Sequence, residues 1–278
     1  MSGRDLTGTT IVITGASDGI GAESARVLHA RGATVLVTGR SATKLAPIAA
    51  AVGSEPLVAD FAHLDDVRAL AARIAELAPR IDVLMNNAGG MFPVSATTAE
   101  GFEPNIGINH LAPFLLTHLL KPQLAADGGA LVLNTSSIAN LAGRIVVDDV
   151  ARRQRIDFPA YGTGKLMNIV FTRGIAQRWK DDGIVSAAVH PGPAGTSFGR
   201  DSRLVGLLYR TPLKKFGTIS VADGAAPLVA LAERGADPEL NGRYWSRFTA
   251  DGRENKQARD QRVIDGLWEH SLRLTGLT

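Results

Sequence analysis

The chain contains no cysteine, which removes disulfides, thiolate catalysis and cysteine-ligated zinc together. Any redox chemistry must then come from a bound cofactor. Charge of one sign is also scarce: 30 Lys and Arg stand against 27 Asp and Glu, a formal net charge of +3. That excess is too small for a basic tail that would hold nucleic acid. Long apolar runs are missing too. The longest, Leu111 to Leu120, is broken by Pro113 and His118, and the polar residues 1–9 offer no signal-peptide core. A cytoplasmic protein with no membrane insertion is therefore expected. The six histidines show no paired ligand spacing, so no metal is predicted. Internal repeats, low-complexity tracts and an interdomain linker are absent as well.

What is there is a chain of 278 residues, 45% of them hydrophobic, enough to bury one large core over 1–278. Short runs rich in Val, Ile and Leu recur at 10–14, 34–38, 56–59, 81–85, 130–135 and 184–189, each the length of a strand buried on both faces. Amphipathic stretches at 19–31, 41–52, 63–77, 100–123 and 159–180 alternate with them. Strand, helix, strand units with right-handed crossovers predict an α/β Rossmann-like fold. Its doubly wound parallel sheet has about seven strands, with helices on both faces. After residue 192 the pattern loosens, and 193–216 reads as a substrate-covering loop region. Its Leu204, Val205, Leu207, Leu208 and Tyr209 would either enclose an apolar molecule or form a helix packed on the core. A helix at 220–233 follows, then a strand at 243–248 and a charged helix at 254–274, so that 243–278 forms the C-terminal strand and helix. The irregular stretch 143–158 carries Arg152, Arg153 and Arg155. It reads as a solvated surface excursion in preference to the rim of a substrate entrance.

The first strand runs into Thr14-Gly15-Ala16-Ser17-Asp18-Gly19-Ile20-Gly21 and then a helix, the context in which a glycine-rich loop binds phosphate. Gly15 permits the turn, Gly19 lets backbone approach a pyrophosphate, and Gly21 clears the helix–sheet contact. Ser17, Asp18 and Ile20 complete the loop. In a dinucleotide fold an acid about 20 residues onward binds the adenosine ribose and repels a 2′-phosphate. Here Gly39, Arg40 and Ser41 end the second strand, and a guanidinium with a hydroxyl favours NADP over NAD. Two readings oppose this: Arg40 as a solvated helix-start residue, and Asp18 as a negative charge tempering the preference.

Tyr161 and Lys165 stand four apart on one helix face. A phenol of pKa about 10 is a poor catalyst near neutrality, and a nearby ammonium, with the positive ring of an oxidised cofactor, is expected to draw it down. Ser137, after the fifth strand, would orient the substrate oxygen, with Ser136 as competitor. Asn86-Asn87-Ala88-Gly89, Asn109, Ser136-Ser137, Tyr161/Lys165 and His190-Pro191-Gly192 occur in one consistent order. The strand-end members fall at the carboxyl edge, where such sheets bind ligands.

With these motifs the chain resembles the short-chain dehydrogenase/reductase family, in its single-domain branch, over nearly its whole length. It is most similar to the retinol-dehydrogenase-like group through residues 109–117, the long Ser137 to Tyr161 spacing and Tyr244-Trp245. The resemblance implies a tetrad of Asn109, Ser137, Tyr161 and Lys165. Lys165 would also bind the nicotinamide ribose, and Asn109 would hold a water linking Lys165 to a proton relay. It implies further cofactor contacts at Asp60, with Phe61 beside it, at Asn87, Ala88 and Gly89 along the wall, and at Pro191, Gly192 and Thr196 over the nicotinamide. For Asp60 a helix N-cap is the alternative. Gly192-Pro193-Ala194-Gly195-Thr196 departs from the family's usual branched apolar residues, which loosens the Thr196 assignment. The implied function is hydride transfer between NADP(H) and a carbonyl, quinone or secondary alcohol of a fairly apolar small molecule. The alternatives are a redox-assisted epimerase or dehydratase and a non-catalytic NADP-binding sensor. The resemblance also offers a homodimer on the helices at 100–123 and 159–180, alongside monomers in the closer group.

Overall fold

The β-branched runs pair side by side in a computed structural model that describes residues 4–192 and 219–278. In chain order the elements are β1 (Thr10–Ile13), α1 (Gly19–Ala30), β2 (Thr34–Gly39), α2 (Ala42–Ala51), β3 (Pro56–Val58), α3 (Leu64–Leu77) and β4 (Val83–Asn86). Then come α4 (Ala112–Leu119), β5 (Leu131–Thr135), α5 (Asp157–Arg178), β6 (Val185–His190), α6 (Val221–Ala232), β7 (Arg243–Ser246), β8 (Thr249–Ala250) and α7 (Gln261–Leu274). The sheet order is β3-β2-β1-β4-β5-β6-β7-β8. All neighbours are parallel except the short β8, which returns antiparallel along β7. The order reverses beside β1, so the carboxyl ends of β1 and β4 open the crevice where such sheets bind ligands.

Both faces of the sheet are covered, which is why the strands read as continuous apolar runs. Ile11 and Ile13 of β1 pack with Val35, Val37 and Met85 against residues of α1, α2 and α6. Val12, between them, packs with Leu36, Leu84 and Val132 toward α3, α4 and α5. Each fully buried Ile, Leu or Val of this kind contributes roughly 1.5–3 kcal/mol relative to exposure. No helix among the described residues is long and apolar enough to cross a membrane.

The expected helix over 100–123 is broken. A turn at Pro104–Ile106 leads into a π-turn at Gly107–Leu111, then α4, then a short turn at Lys121–Leu124. Pro113 is the cause: it has no N–H for the carbonyl of Asn109 four residues back, and its ring displaces that carbonyl. The expected helix over 254–274 also divides, into a 3₁₀ turn at Lys256–Arg259 and α7. Asp260 ends the first and caps the second by accepting the Arg262 N–H at 2.9 Å.

The 143–158 stretch keeps Arg152, Arg153 and Arg155 at the surface, as read, but is tied down on both sides. The Gln257 side chain accepts the Ile145 N–H at 3.0 Å and donates to its carbonyl at 2.8 Å. Arg153 donates to the carbonyls of Val94 and Ala96, both at 3.3 Å.

Between α4, α5 and α7 lies an aromatic cluster of His110, Phe114, His118, Phe171, Trp179 and Trp268, with Phe114 and Phe171 centroids 5.0 Å apart. Burial lowers His110 from the ordinary 6.5 to about 3, with the His118 charge adding to it, and burial lowers His118 to about 4. Both rings are therefore neutral in the folded protein. Below about 6.5 the unfolded chain takes up protons that the folded chain does not, so stability falls as pH drops from about 6.5 toward 4. Thermal midpoints across that window should decline for the wild type and decline less steeply for His118→Gln. Parallel curves would remove His118 from this account.

Candidate active site

The glycine loop is locked to the loop after β4 by Thr14, which the sequence reading named as the start of the loop without giving it a role. Its hydroxyl accepts the N–H groups of Asn87 at 3.0 Å and Ala88 at 2.9 Å, and the Asn87 amide donates to the Thr14 carbonyl at 3.0 Å. The signal was only a threonine at a strand end, and the partners follow another strand, 73 and 74 residues away in sequence. Gly15 has φ +67° and Gly19 +56°, conformations that side chains rarely adopt. A Cβ on Gly15 would also lie 2.7 Å from Ala88 Cα, and one on Gly21 would lie 2.6 Å from Asn87 Nδ2. Asp18 caps α1, accepting the Gly19 N–H at 2.8 Å, and Ile20 packs against the core. Ser17 Oγ is buried without a partner, as is Thr38 Oγ1, and a Cβ on Gly39 would fall onto Ser17 Oγ. A cradle of bare backbone with an orphaned hydroxyl beside it fits the phosphate and ribose portion of a dinucleotide.

At the end of β2, Arg40 is exposed, and Ser41 caps α2 by accepting the Lys44 N–H at 3.4 Å. Lys44 Nζ stands 3.7 Å from Asp18 Oδ2. The charge expected to weaken NADP binding is thus met by a lysine that the sequence reading did not single out. Asp60 does not cap α3. Its Oδ1 accepts the Ala62 N–H at 3.0 Å in a local turn, while the first turn of α3 receives Glu100, which accepts the Leu64 N–H at 2.7 Å. The Phe61 side chain, placed at the cofactor by sequence, is buried in the core with Leu64 and Val67. Aromatic burial outweighs exposure there, which leaves only the Phe61 backbone for a ligand.

The end of β5 separates the two serines. Ser136 Oγ donates to the Lys165 carbonyl at 2.7 Å, holding the backbone of α5. Ser137 makes the side-chain hydrogen bond to the Tyr161 hydroxyl and accepts the Ala139 N–H at 3.2 Å. Of the two serines, Ser137 is the one that meets Tyr161. Lys165 Nζ donates to the Thr135 carbonyl at 3.1 Å and lies 5.8 Å from the Tyr161 ring centroid. Burial lowers this ammonium to about 8.

The expected downward pull on Tyr161 needs an oxidised cofactor as well as Lys165, and the protein's own groups push the other way. Burial pushes the phenol well above its ordinary 10, the Ser137 hydrogen bond opposes this, and Tyr244 raises it further. Lys165 does not draw it down in the protein by itself, because the ammonium sits beside the ring and is already engaged by Thr135. Tyr161 is 5% exposed, so the phenolate would form with little water. The chain thus holds Tyr161 as a proton-bearing phenol.

Asn109 and Lys165 meet at Gly89, which has φ +149°. A Cβ there would strike Asn109 Oδ1 and lie 3.2 Å from Lys165 Nζ. The Asn109 side chain is fully used, accepting the Gly90 N–H and donating to the Gly90 carbonyl, both at 2.9 Å. Pro113 has no N–H to give the Asn109 main-chain carbonyl four residues back. Pro191 and Gly192 follow β6, and Gly192 has φ +101°. Thr196, the other residues of 193–216 and the apolar set from Leu204 to Tyr209 lie outside the described residues. At the mouth, Met91, Ala139 and Tyr161 pack together, and Ile138 and Phe158 are exposed. Phe158 precedes Tyr161 by three residues and shares its helix face.

Residues 9–204 match the family model for short chain dehydrogenase. Retinol dehydrogenase 12 of Mus musculus is 37% identical over 283 residues, covering 98% of this chain and 88% of the relative. A Streptomyces sp. (strain C5) protein named "Putative daunorubicin C-13 ketoreductase DnrU" is 38% identical over 281 residues, covering 98% and 94%. The structure of an uncharacterized protein from Mycobacterium paratuberculosis superposes with a TM-score of 0.78 at 31% identity, covering 99% of this chain and 96% of that one. A short-chain dehydrogenase from Sphingobium yanoikuyae, in complex with NADPH, gives 0.65 at 28% identity, covering 82% and 85%.

The Thr14 lock has a direct test. Thr14→Val leaves two backbone N–H groups without their acceptor and should cost roughly 2 kcal/mol or more in denaturant unfolding, while Thr14→Ser should restore most of it. Equal stability of Thr14→Val and wild type would show that the two loops are held by other contacts.

Proposed function

The chain belongs to the short-chain dehydrogenase/reductase family, enzymes acting on CH–OH or C=O groups with NAD(P), and from that premise we propose that it is an NADP(H)-dependent reductase of fairly apolar carbonyl compounds or quinones. The observation that carries this reading is the Tyr161 phenol at the carboxyl edge of the sheet, hydrogen-bonded to Ser137 and packed with Met91 and Ala139. A protonated phenol suits reduction, where the carbonyl oxygen must receive a proton as negative charge develops on it. The name of the Streptomyces ketoreductase agrees with that direction.

Gly15, Ser17, Asp18, Gly19, Ile20 and Gly21 would hold the pyrophosphate portion. Arg40, Ser41 and Lys44 would hold the 2′-phosphate, and Asn87, Ala88, Gly89, Pro191 and Gly192 the nicotinamide side. The bound nicotinamide would supply the hydride and, once oxidised, a positive charge near the phenol. Ser137 orients the substrate oxygen toward the Tyr161 hydroxyl, which gives up its proton to it. Lys165 holds a positive charge behind the ring, and Asn109 would hold the water from which the proton is replaced. Met91 and Ala139 pack against Tyr161, and the exposed Ile138 and Phe158 nearby in sequence would add apolar surface for a substrate.

Tyr161→Phe should lower NADPH consumption across a panel of ketones, aldehydes and quinones by about 10²–10⁴-fold, with NADPH binding retained in a fluorescence titration. Unchanged turnover would reject Tyr161 as the acid. For selectivity, Arg40→Asp and Lys44→Asp should each weaken NADP binding by roughly tenfold, as expected for one lost charge-assisted contact, and leave NAD binding nearly unchanged. Parallel losses for both cofactors would show that these residues do not read the 2′-phosphate.

A further inference from the structure

The 143–158 stretch, with Ile106 and the start of α5, lines a cavity of about 290 Å³ that opens to solvent. It lies apart from the reacting groups. Pro159 and Thr163 face it, each two positions from Tyr161 and so about 200° around the helix from it. The walls are apolar, with Ile106, Val150, Ile156 and Pro159, and Ile156 is 65% exposed. The Thr163 hydroxyl is already engaged, donating to the Pro159 carbonyl at 2.9 Å and accepting the Arg144 N–H at 3.0 Å.

Charge on the lining is one-sided. Arg144, Arg152, Arg153 and Arg155 face the cavity against a single acid, Asp149. None of the four arginines forms an ion pair among the described residues, whereas Arg73, Arg80, Arg173, Arg178 and Arg243 each hold a carboxylate. Arg153 donates to two neutral carbonyls, and its charge acts on the buried Glu103 carboxyl, so Arg152 and Arg155 are the less compensated pair. Exposed guanidinium groups without a carboxylate in ion-pair reach, beside an apolar hollow, match a molecule with an anionic head and a hydrocarbon body. At interior packing density the volume holds about a dozen non-hydrogen atoms.

We propose that this cavity is a second ligand site, behind the catalytic helix, for a small organic carboxylate with an apolar body. Arg152 and Arg155 are placed to take the carboxylate, and Ile106, Val150 and Ile156 to take the hydrocarbon.

Calorimetric titration of the full chain with octanoate, octanol and inorganic phosphate tests this. Octanoate should bind one to one, at least tenfold more tightly than octanol, and saturating phosphate should not displace it. In Arg152→Ala/Arg155→Ala the affinity for octanoate should fall tenfold or more, with thermal midpoint and carbonyl turnover unchanged. Ile156→Asp should weaken it independently. Absence of octanoate binding would overturn the proposal, as would octanol binding equally well, displacement by phosphate, or an affinity indifferent to the arginines. Competitive inhibition of carbonyl reduction that persists in the double variant would place octanoate in the catalytic cleft and overturn it too.

Discussion

Three consecutive residues at the end of β5 set the distance between the sheet and the helix that carries the chemistry. The Thr135 carbonyl accepts the Lys165 ammonium, the Ser136 hydroxyl donates to the Lys165 backbone, and the Ser137 hydroxyl meets Tyr161. A strand alternates its side chains, so no single face of β5 could make all three contacts. The chain leaves strand geometry after Thr135, and main-chain and side-chain atoms share the task. Ser137 then caps the short helix Ile138–Ala142, which packs against α5. Gly162 allows this approach: a Cβ there would meet the Ala139 carbonyl. Sliding α5 by one residue would break every one of these contacts and turn Tyr161 about 100° out of the crevice.

The same constraint explains why the site tolerates a buried cation. Lys165 is 3% exposed with a carbonyl for partner, a poor exchange for water, and its ammonium is lowered to about 8 accordingly. Around it the chain removes bulk in place of adding charge. Gly89 leaves room for the ammonium and the Asn109 amide, and the amide in turn fixes Gly90. On the sheet side, a buried polar relay runs from Thr117 through Asn86 and Asn134 to Thr172, with bonds of 2.9, 3.0 and 2.9 Å. It satisfies the amide nitrogens of Asn86 and Asn134 in the layer beneath the site, while Asn86 Oδ1 is buried without a partner.

Much of this was legible in the sequence, and the parts that were not share a physical character. The strands and the helices flanking them announced themselves because each face of the sheet is covered. Alternation therefore collapsed into apolar runs such as Ile11-Val12-Ile13. The glycine loop, Ser137, Tyr161 and Lys165 were readable because their chemistry fixes spacing along one chain. What escaped depends on pairs distant in sequence. Thr14 matters only because β4 lies beside β1, and Lys44 only because the first turn of α2 faces Asp18. The upward shift of Tyr161 follows from burial, which spacing does not encode. The break at Asn109 was visible in Pro113 and was overridden in the reading by the apolar periodicity around it.

The sealing of α5 links the C-terminal segment to the long Ser137–Tyr161 spacing. Residues 160–172 of this helix are buried without interruption, so more than one face must be covered. α7 takes one: Trp268 lies against Gly174, where a Cβ would come within 2.7 Å of the indole, and Arg173 pairs with the buried Glu254 at 2.9 Å. The 143–147 segment joins the same layer. A Cβ on Gly266 of α7 would strike Val147, and the Asn255 amide donates to the Gly143 carbonyl at 2.8 Å. The insertion and the C-terminal helix thus stabilise one another over the catalytic helix. A homodimer built on this face of α5 would have to displace both, so an assembly that keeps α7 in place must use another surface.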